Sequence, residues 1–135
     1  MKTVFNVVNI LFPVVNVASV KSTIDGKVYR DAKPQNSTKR DIVVSSLPIS
    51  YNPRDPLIQQ GTAIINCYAK NLSDGKQDIA NLKSMTDAVI AVIAAYSHAS
   101  KYYVFEITSQ LLLNDVDQPE MSYSSLRVDY TIEGV

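Results

Sequence analysis

The chain is poor in the residues that most often carry chemistry. Its 135 residues include one cysteine (Cys67), one histidine (His98), four glycines and no tryptophan. A single cysteine excludes an intrachain disulfide and a four-thiolate zinc site, and one histidine adds too few ligands for another metal site. The glycines are isolated, so there is no glycine-rich loop to cradle a phosphate. We therefore expect no cofactor and no bound metal.

The chain also lacks a net charge. Thirteen basic and thirteen acidic side chains balance, so no overall field attracts the protein to nucleic acid or to an anionic membrane. Basic residues nevertheless predominate over 21–40 and acidic residues over 114–135. This asymmetry has two interpretations. It is either an unevenly charged solvated surface, or a head-to-tail contact in which the basic region of one copy meets the acidic region of the next.

None of the potentially reactive side chains stands in an activating context. Cys67 lies in the alternating run TAIINCYAK, which predicts a small buried thiol. His98 is expected near the end of a helix, where a surface or capping position is usual. Asp115 and Asp117 in NDVDQPE are typical of a connecting turn. The sequence therefore predicts no catalytic residue and a protein that is not an enzyme.

The first twenty residues, MKTVFNVVNILFPVVNVASV, have two interpretations. Their low charge and small residues near the end resemble a secretory signal peptide. However, Asn6, Asn9, Pro13 and Asn16 interrupt the apolar stretch, which disfavours a signal peptide and a membrane span. We therefore predict a retained amphipathic N-terminal helix over 1–20 that Pro13 ends or kinks. Its apolar stripe is Val4, Val8, Leu11 and Phe12.

Five strands are predicted after this helix. The first two are expected over 28–32 and from Asp41 to Pro48, as a hairpin-like pair with Pro48 at a sheet edge. A third is expected over 62–69. Two more follow from the alternating segments KYYVFEITSQLLL and SSLRVDYTIE. In the first of these, Leu111 is expected on the same face as Tyr103, Phe105 and Ile107.

One long helix is predicted between the third and fourth strands, beginning at a capping box of Asp74 and Gln77. Its apolar stripe is Ile79, Leu82, Met85, Val89, Ile93 and Tyr96. The order of elements indicates one α+β domain of residues 1–135. Its mostly antiparallel sheet would have about five strands, with the N-terminal helix and the long central helix packed on one face. Residues 50–61 are expected to form an extended loop or arm.

The segment TIDGKVYRDAKPQNSTKRDIVVSSLPIS resembles the early part of the tail completion, or tail terminator, proteins of tailed bacteriophages. The shared pattern is a short helix, a turn, a strand with Val28 and Tyr29, a loop with Pro34 and Gln35, and an apolar strand. The later order of elements also fits, so the resemblance covers residues 4–132. The family has no catalytic residues to carry over.

This resemblance implies a structural virion protein that forms a ring at the head–tail neck, where it terminates the tail tube or joins it to the connector. The implied location is the virion, assembled in the cytoplasm of a host bacterium. Implied partners are further copies of the chain, the tail tube, and connector or neck proteins, with non-specific contact to DNA in the lumen and no membrane. The alternative is a secreted or envelope-associated small binding module, if residues 1–19 are a cleaved signal peptide.

Interface residues are expected in the basic loop, the predicted arm and the acidic segment. They are Arg30, Lys33, Pro34, Gln35, Lys39, Arg40, Tyr51, Arg54, Asp115, Asp117 and Glu120.

Overall fold

The protein folds into a five-stranded sheet with helices on one face. A computed structural model describes residues 2–49, 58–99 and 102–133. Its elements are α1 (Val4–Val15), α2 (Ala18–Lys21), β1 (Val28–Arg30), β2 (Ile42–Ser46), β3 (Ile58–Lys70), α3 (Ile79–Ala99), β4 (Tyr103–Asn114) and β5 (Met121–Glu133). The sheet order is β1-β2-β3-β5-β4, and every pair except β1 with β2 is antiparallel. The predicted α+β architecture is confirmed.

Helix α1 is part of the core. Thr3 begins it with a capping box, in which the Thr3 side chain accepts from the backbone N–H of Asn6 and the Asn6 side chain accepts from that of Thr3. Pro13 lies inside the helix and does not end it. The buried stripe is Val7, Val8, Leu11 and Val15. The predicted single helix over 1–20 is instead two helices, because the chain leaves the helical path at Asn16 before the one-turn α2.

Replacing Leu11 with alanine is expected to lower the free energy of unfolding by about 2–5 kcal/mol, because the leucine is fully buried and its loss leaves a cavity. Phe5→Ala is the matched control on the same helix. Its side chain is 71% exposed, so we expect a change below about 0.5 kcal/mol. Urea denaturation of both variants measures the difference. Equal effects would contradict the packing of α1 on the sheet.

The helices cover one face of the sheet. Helix α1 contacts β1 and β2, and α3 contacts β3, β4 and β5. Alternate residues of the central strands point towards the helices and are buried: Ala63, Ile65 and Cys67 in β3, and Leu126, Val128, Tyr130 and Ile132 in β5. We call the opposite side of the sheet the open face. It carries no helix in the part of the chain that the structure describes.

Helix α3 begins one turn later than its predicted capping box. Asp74 instead forms a turn with Gly75, which has φ 84°. Asp78 Oδ1 accepts from the backbone N–H of Asn81 and caps the helix. The predicted stripe is buried at Leu82, Met85, Val89 and Ile93. Residues 79–97 are also long and apolar enough to cross a membrane, with a mean hydropathy of 1.3, but a helix that covers a sheet meets the same criteria.

Strands β1 and β2 are parallel, so the predicted hairpin is wrong. Val28 lies opposite Ile42, and Arg30 lies opposite Val44. A parallel pair requires the connecting loop to return to the start of the first strand before the second begins. Strand β2 is an interior strand, because it pairs with β1 on one side and with β3 on the other. Pro48 follows β2, so the prediction that this proline marks a sheet edge is also wrong.

Buried Asp41 holds the returning loop beside the start of β1. Its carboxylate is fully buried and accepts from the backbone N–H of Lys27 at 3.0 Å and from Ser37 Oγ at 2.5 Å. The backbone N–H of Gly26 also donates to the Arg40 carbonyl at 3.0 Å. The bonds made by the Lys27 and Gly26 N–H groups join residues fourteen positions apart, and they fix the direction in which β2 enters the sheet.

Strand β4 contains a β-bulge between Ile107 and Ser109. Before the bulge, Phe105 faces the helices, as predicted. The extra residue of a bulge shifts the alternation by one position. Leu112 consequently faces the helices and Leu111 lies on the open face, so the prediction that Leu111 shares a face with Phe105 is wrong.

The predicted arm of residues 50–61 overlaps strand β3. Residues 58–61 belong to that strand and pair with residues 130–133 of β5. The strand predicted over 62–69 is therefore too short at its start, because polar Gln59 and Gln60 resemble loop residues in the sequence. The rest of the predicted arm, residues 50–57, lies outside the described residues.

Burial raises the pKa of the Cys67 thiol from its usual 9.0 to about 12. As pH rises, the unfolded chain loses this proton before the folded one does. The free energy of unfolding is therefore expected to fall between pH 9 and 12, by at most about 1.4 kcal/mol per pH unit from this group. Denaturation at several pH values should show a shallower decline for Cys67→Ala. Tyr68 and Tyr130, whose pKa values burial also raises, add the same decline to both proteins. Equal slopes would contradict a buried thiol.

Candidate interface cleft

A polar cleft of about 500 Å³ opens on the open face of the sheet. We call it the interface cleft. Its floor consists of side chains from β2 and β3: Val43, Ser45, Asn66 and Tyr68. One wall is the loop after β1, residues 31–36, and the other is the loop between β4 and β5, residues 115–120. The cleft exists because the two loops follow strands at opposite edges of the sheet and extend over its centre.

The floor carries hydrogen-bonding groups that are not fully used. The buried Oδ1 atom of Asn66 has no hydrogen-bond partner within the described residues. Tyr68 packs against Tyr123, with ring centroids 5.0 Å apart. Burial raises the pKa of Tyr68, the nearby Asp115 carboxylate adds to this, and a hydrogen bond from Asn66 opposes it. Tyr68 is therefore a neutral hydroxyl at physiological pH, and the unpartnered Asn66 oxygen lies buried beneath the cleft floor.

Lys33 joins the two walls of the interface cleft. Its ammonium donates to Gln118 Oε1 and to the Ser37 carbonyl, each at 3.1 Å, and lies 5.0 Å from the centre of the Tyr68 ring. Gln118 Nε2 donates to the same carbonyl at 3.2 Å. Lys33 thus has a structural role within the subunit that the basic sequence pattern did not predict.

Four carboxylates border the interface cleft: Asp31, Asp115, Asp117 and Glu120. Among the residues that the structure describes, none of the four is in an ion pair, and the ion pairs found there lie on α3 and β5. Lys33 is the one basic residue among the described lining residues. The cleft is therefore net acidic, and it fits a basic or hydrogen-bond-donating segment.

The structure brings two of the predicted interface groups together within one chain. The first wall carries Lys33, Pro34 and Gln35, and the second carries Asp115, Asp117 and Glu120. The basic loop and the acidic loop therefore face each other across one cleft of the same subunit, without an ion pair between their described residues. Tyr51 and Arg54, the predicted interface residues of the arm, lie outside the described residues.

The remaining predicted basic residues lie away from the interface cleft. The Arg30 guanidinium is 3.8 Å from the centre of the Phe12 ring, on the helix side of the sheet. Arg40 Nε donates to the Thr23 carbonyl at 3.2 Å. Lys39 is exposed. These side chains form a second charged surface at the β1 edge, separate from the acidic cleft.

The floor of the interface cleft was not predicted from the sequence. Asn66 and Tyr68 occupy alternate positions of β3 that resemble ordinary solvent-facing residues, and only the pairing of β2 with β3 places them beside Val43. Nothing in the sequence indicated that Gln118 would bond to Lys33 across the cleft. Within residues 2–49, 58–99 and 102–133, no group of histidine, cysteine or acidic side chains could hold a metal ion.

Comparisons with known proteins show a similar fold in a virion particle. No family model matches the chain, and no curated protein matches it. Twenty-three chains of solved structures do match. One belongs to the structure described as "Virion of native gene transfer agent (GTA) particle". The match has a TM-score of 0.55 and 16% sequence identity, and it covers 94% of this chain and 92% of that chain. At 16% identity the match shows that the two chains share a fold and shows nothing further.

Proposed function

We propose that the protein is a non-enzymatic structural component of a phage-like virion. In this proposal it forms a ring at the head–tail neck, where it terminates the tail tube or joins it to the connector. The observation that carries the proposal is the fold likeness, over nearly the whole of both chains, to a chain of the gene transfer agent virion. The resemblance of residues 23–50 to tail completion proteins supports the neck position. Its partners would be further copies, tube and connector proteins, and DNA in the lumen.

The interface cleft supports a head-to-tail contact between ring neighbours. A closed ring needs two different and complementary patches on every subunit. The acidic cleft is one such patch. The exposed basic surface at the β1 edge, with Lys27, Arg30 and Lys39, is the other. A basic side chain from a neighbour would meet the unpaired carboxylates that border the cleft.

The alternative, a secreted or envelope-associated module, requires cleavage of residues 1–19. That segment contains α1, and four side chains of α1 are buried in the core. Cleavage would expose the apolar surfaces of β2 and α3 that α1 covers. The packing of α1 therefore favours the virion protein.

Localisation in purified particles tests the proposed function. We expect mass spectrometry to detect the protein in virions of the producing host, and gold-labelled antibody to mark one site per particle at the head–tail junction. Deleting the gene should give heads and tails that do not join, or tails of irregular length. Absence of the protein from virions, or labelling along the tail or over the capsid, would contradict the neck position.

A further inference from the structure

The far half of edge strand β4 is left open. Near its start the edge is covered, because the backbone N–H of Phe105 donates to Ser97 Oγ of α3 at 3.0 Å. Beyond the bulge, β5 is its one neighbouring strand within the described ranges. There the exposed fractions of Leu111, Leu112 and Leu113 are 57%, 41% and 38%. Three consecutive exposed leucines on an open sheet edge are unusual in a soluble monomer.

This open edge lacks the features that usually prevent strand pairing between molecules. From 108 to 114 the sequence is TSQLLLN, without a charged residue or proline. Natural edge strands are commonly protected by charge, proline or shortness. The opposite edge, β1, has such protection, since it is three residues long and is flanked by Lys27 and carries Arg30. The two edges of the sheet therefore differ in what they can bind.

The hydrogen-bond pattern determines which backbone groups of β4 point outward. The backbone N–H of Asp115 donates to the Met121 carbonyl, so alternate residues back along the strand direct their groups to β5. The residues between them, Gln110, Leu112 and Asn114, therefore direct their N–H and C=O groups away from the sheet. These groups are available to pair with an extended strand placed beside β4.

An apolar groove of about 410 Å³ lies beside the same edge, between α3 and β4. Its apolar lining includes Ile79, Leu82 and Ile90 of α3, and Leu112 of β4. Ile79 is 53% exposed and Ile90 is 37% exposed. The helix side of the edge is thus incompletely filled within the subunit, and it can accept apolar side chains from a strand added beside β4.

We propose that a second copy of the chain covers this edge by antiparallel pairing of β4 with β4, around a two-fold axis at Leu112. This register places Leu112 opposite Leu112 of the second copy, Leu111 opposite Leu113, and Gln110 opposite Asn114. Each pair is apolar with apolar or amide with amide, and no charges meet, so the strand is its own complement. The contact joins two sheets into one of ten strands. It is independent of the proposed ring contact, which uses the interface cleft.

Cysteine cross-linking tests the register. Opposed residues of a hydrogen-bonded antiparallel pair have Cα atoms about 5.5 Å apart, within the span of a disulfide. Mild oxidation of Leu112→Cys is expected to give a reducible covalent dimer, while native Cys67 is buried and does not react. Leu111→Cys, offset from itself across the axis, and Val116→Cys, 92% exposed in the next loop, should cross-link at least about tenfold more slowly. Equal rates in all three variants, or no dimer from Leu112→Cys, would overturn the proposal.

Sedimentation equilibrium tests the pairing without a cross-link. At about 1 M salt, where the ring contact is weakened, we expect a reversible dimer to persist, because the paired strand segments carry no charged residue and Lys83 and Asp87 at the adjacent groove pair with each other within the subunit. Leu112→Lys replaces the central apolar pair with two like charges on residues whose Cα atoms lie about 5.5 Å apart, and it should raise the Kd at least about tenfold. Val116→Lys should leave the Kd unchanged, and circular dichroism verifies folding. A monomer at about 0.1 mM, or a dimer unaffected by Leu112→Lys, would overturn the pairing. Either result would leave the salt-sensitive ring contact untouched.

Discussion

Replacing Gly26 with alanine is expected to destabilise the protein by about 3 kcal/mol. A Cβ atom at this position would lie 1.9 Å from Asp41 Oδ1 and 2.7 Å from the Arg40 carbonyl oxygen. Neither atom can move away freely, because the Asp41 carboxylate is fully buried and holds the loop to the start of β1. Relief of the clash would therefore separate β1 from β2.

Chemical denaturation of Gly26→Ala, Asp41→Ala and the double variant separates this clash from a general loop effect. Asp41→Ala alone should cost about 1–3 kcal/mol, because it leaves the backbone N–H of Lys27 without its acceptor. The double variant should lose less stability than the sum of the two single variants. Gly75→Ala is the control. No described atom lies within 4 Å of its added Cβ, so its positive φ accounts for the cost of about 1 kcal/mol. Strict additivity at 26 and 41 would contradict their contact.

Reversing the charge on one side of the proposed ring contact is expected to prevent ring assembly, and reversing both sides should restore it. The basic side is changed by Lys27→Glu with Lys39→Glu, both exposed, and the acidic side by Asp117→Lys with Glu120→Lys. Arg30 is kept, because its guanidinium packs on the Phe12 ring. Like charges facing each other in an interface cost several kcal/mol. Lys33 and Arg40 are kept, because both form hydrogen bonds within the subunit. A variant that also changes these two residues would lose those hydrogen bonds, so it would not separate assembly from folding.

Mass photometry at low salt measures the fraction of each variant in closed rings. Lys76→Glu is the control, since this side chain is exposed and lies outside the interface cleft, and it should assemble normally. Normal assembly of both one-sided variants would show that these charges do not meet between subunits. A folded four-residue variant that fails to assemble would show that the two patches do not face each other.

Whether a segment is a helix or a strand could be predicted from the periodicity of apolar residues along the chain. The stripe of α3 and the alternation of β5 are local patterns, and the structure places them as those patterns predict, except that Ile79 at the start of α3 is exposed. The direction of β2 could not be predicted in this way. It depends on the Asp41 hydrogen bond to Lys27, which joins residues fourteen positions apart, and nothing in either strand alone specifies a parallel pair.

Smaller departures have the same origin. The bulge after Ile107 changes the face of every later residue of β4, yet TSQLLLN reads as a regular strand. The two walls of the interface cleft could be predicted from the sequence, because they are loops rich in charged residues. Its floor was not, since Asn66 and Tyr68 meet the two loops only after the sheet has formed.

Negative-stain electron microscopy of the purified protein at low salt, alone and with isolated tail tubes, tests the central claim most directly. We predict closed rings of one diameter with a central opening, either free or seated on one end of the tubes, and fewer rings at about 1 M salt, where the Debye length is about 3 Å. Folded protein that remains monomeric or dimeric under all of these conditions, with tube ends left bare, would contradict a ring at the neck.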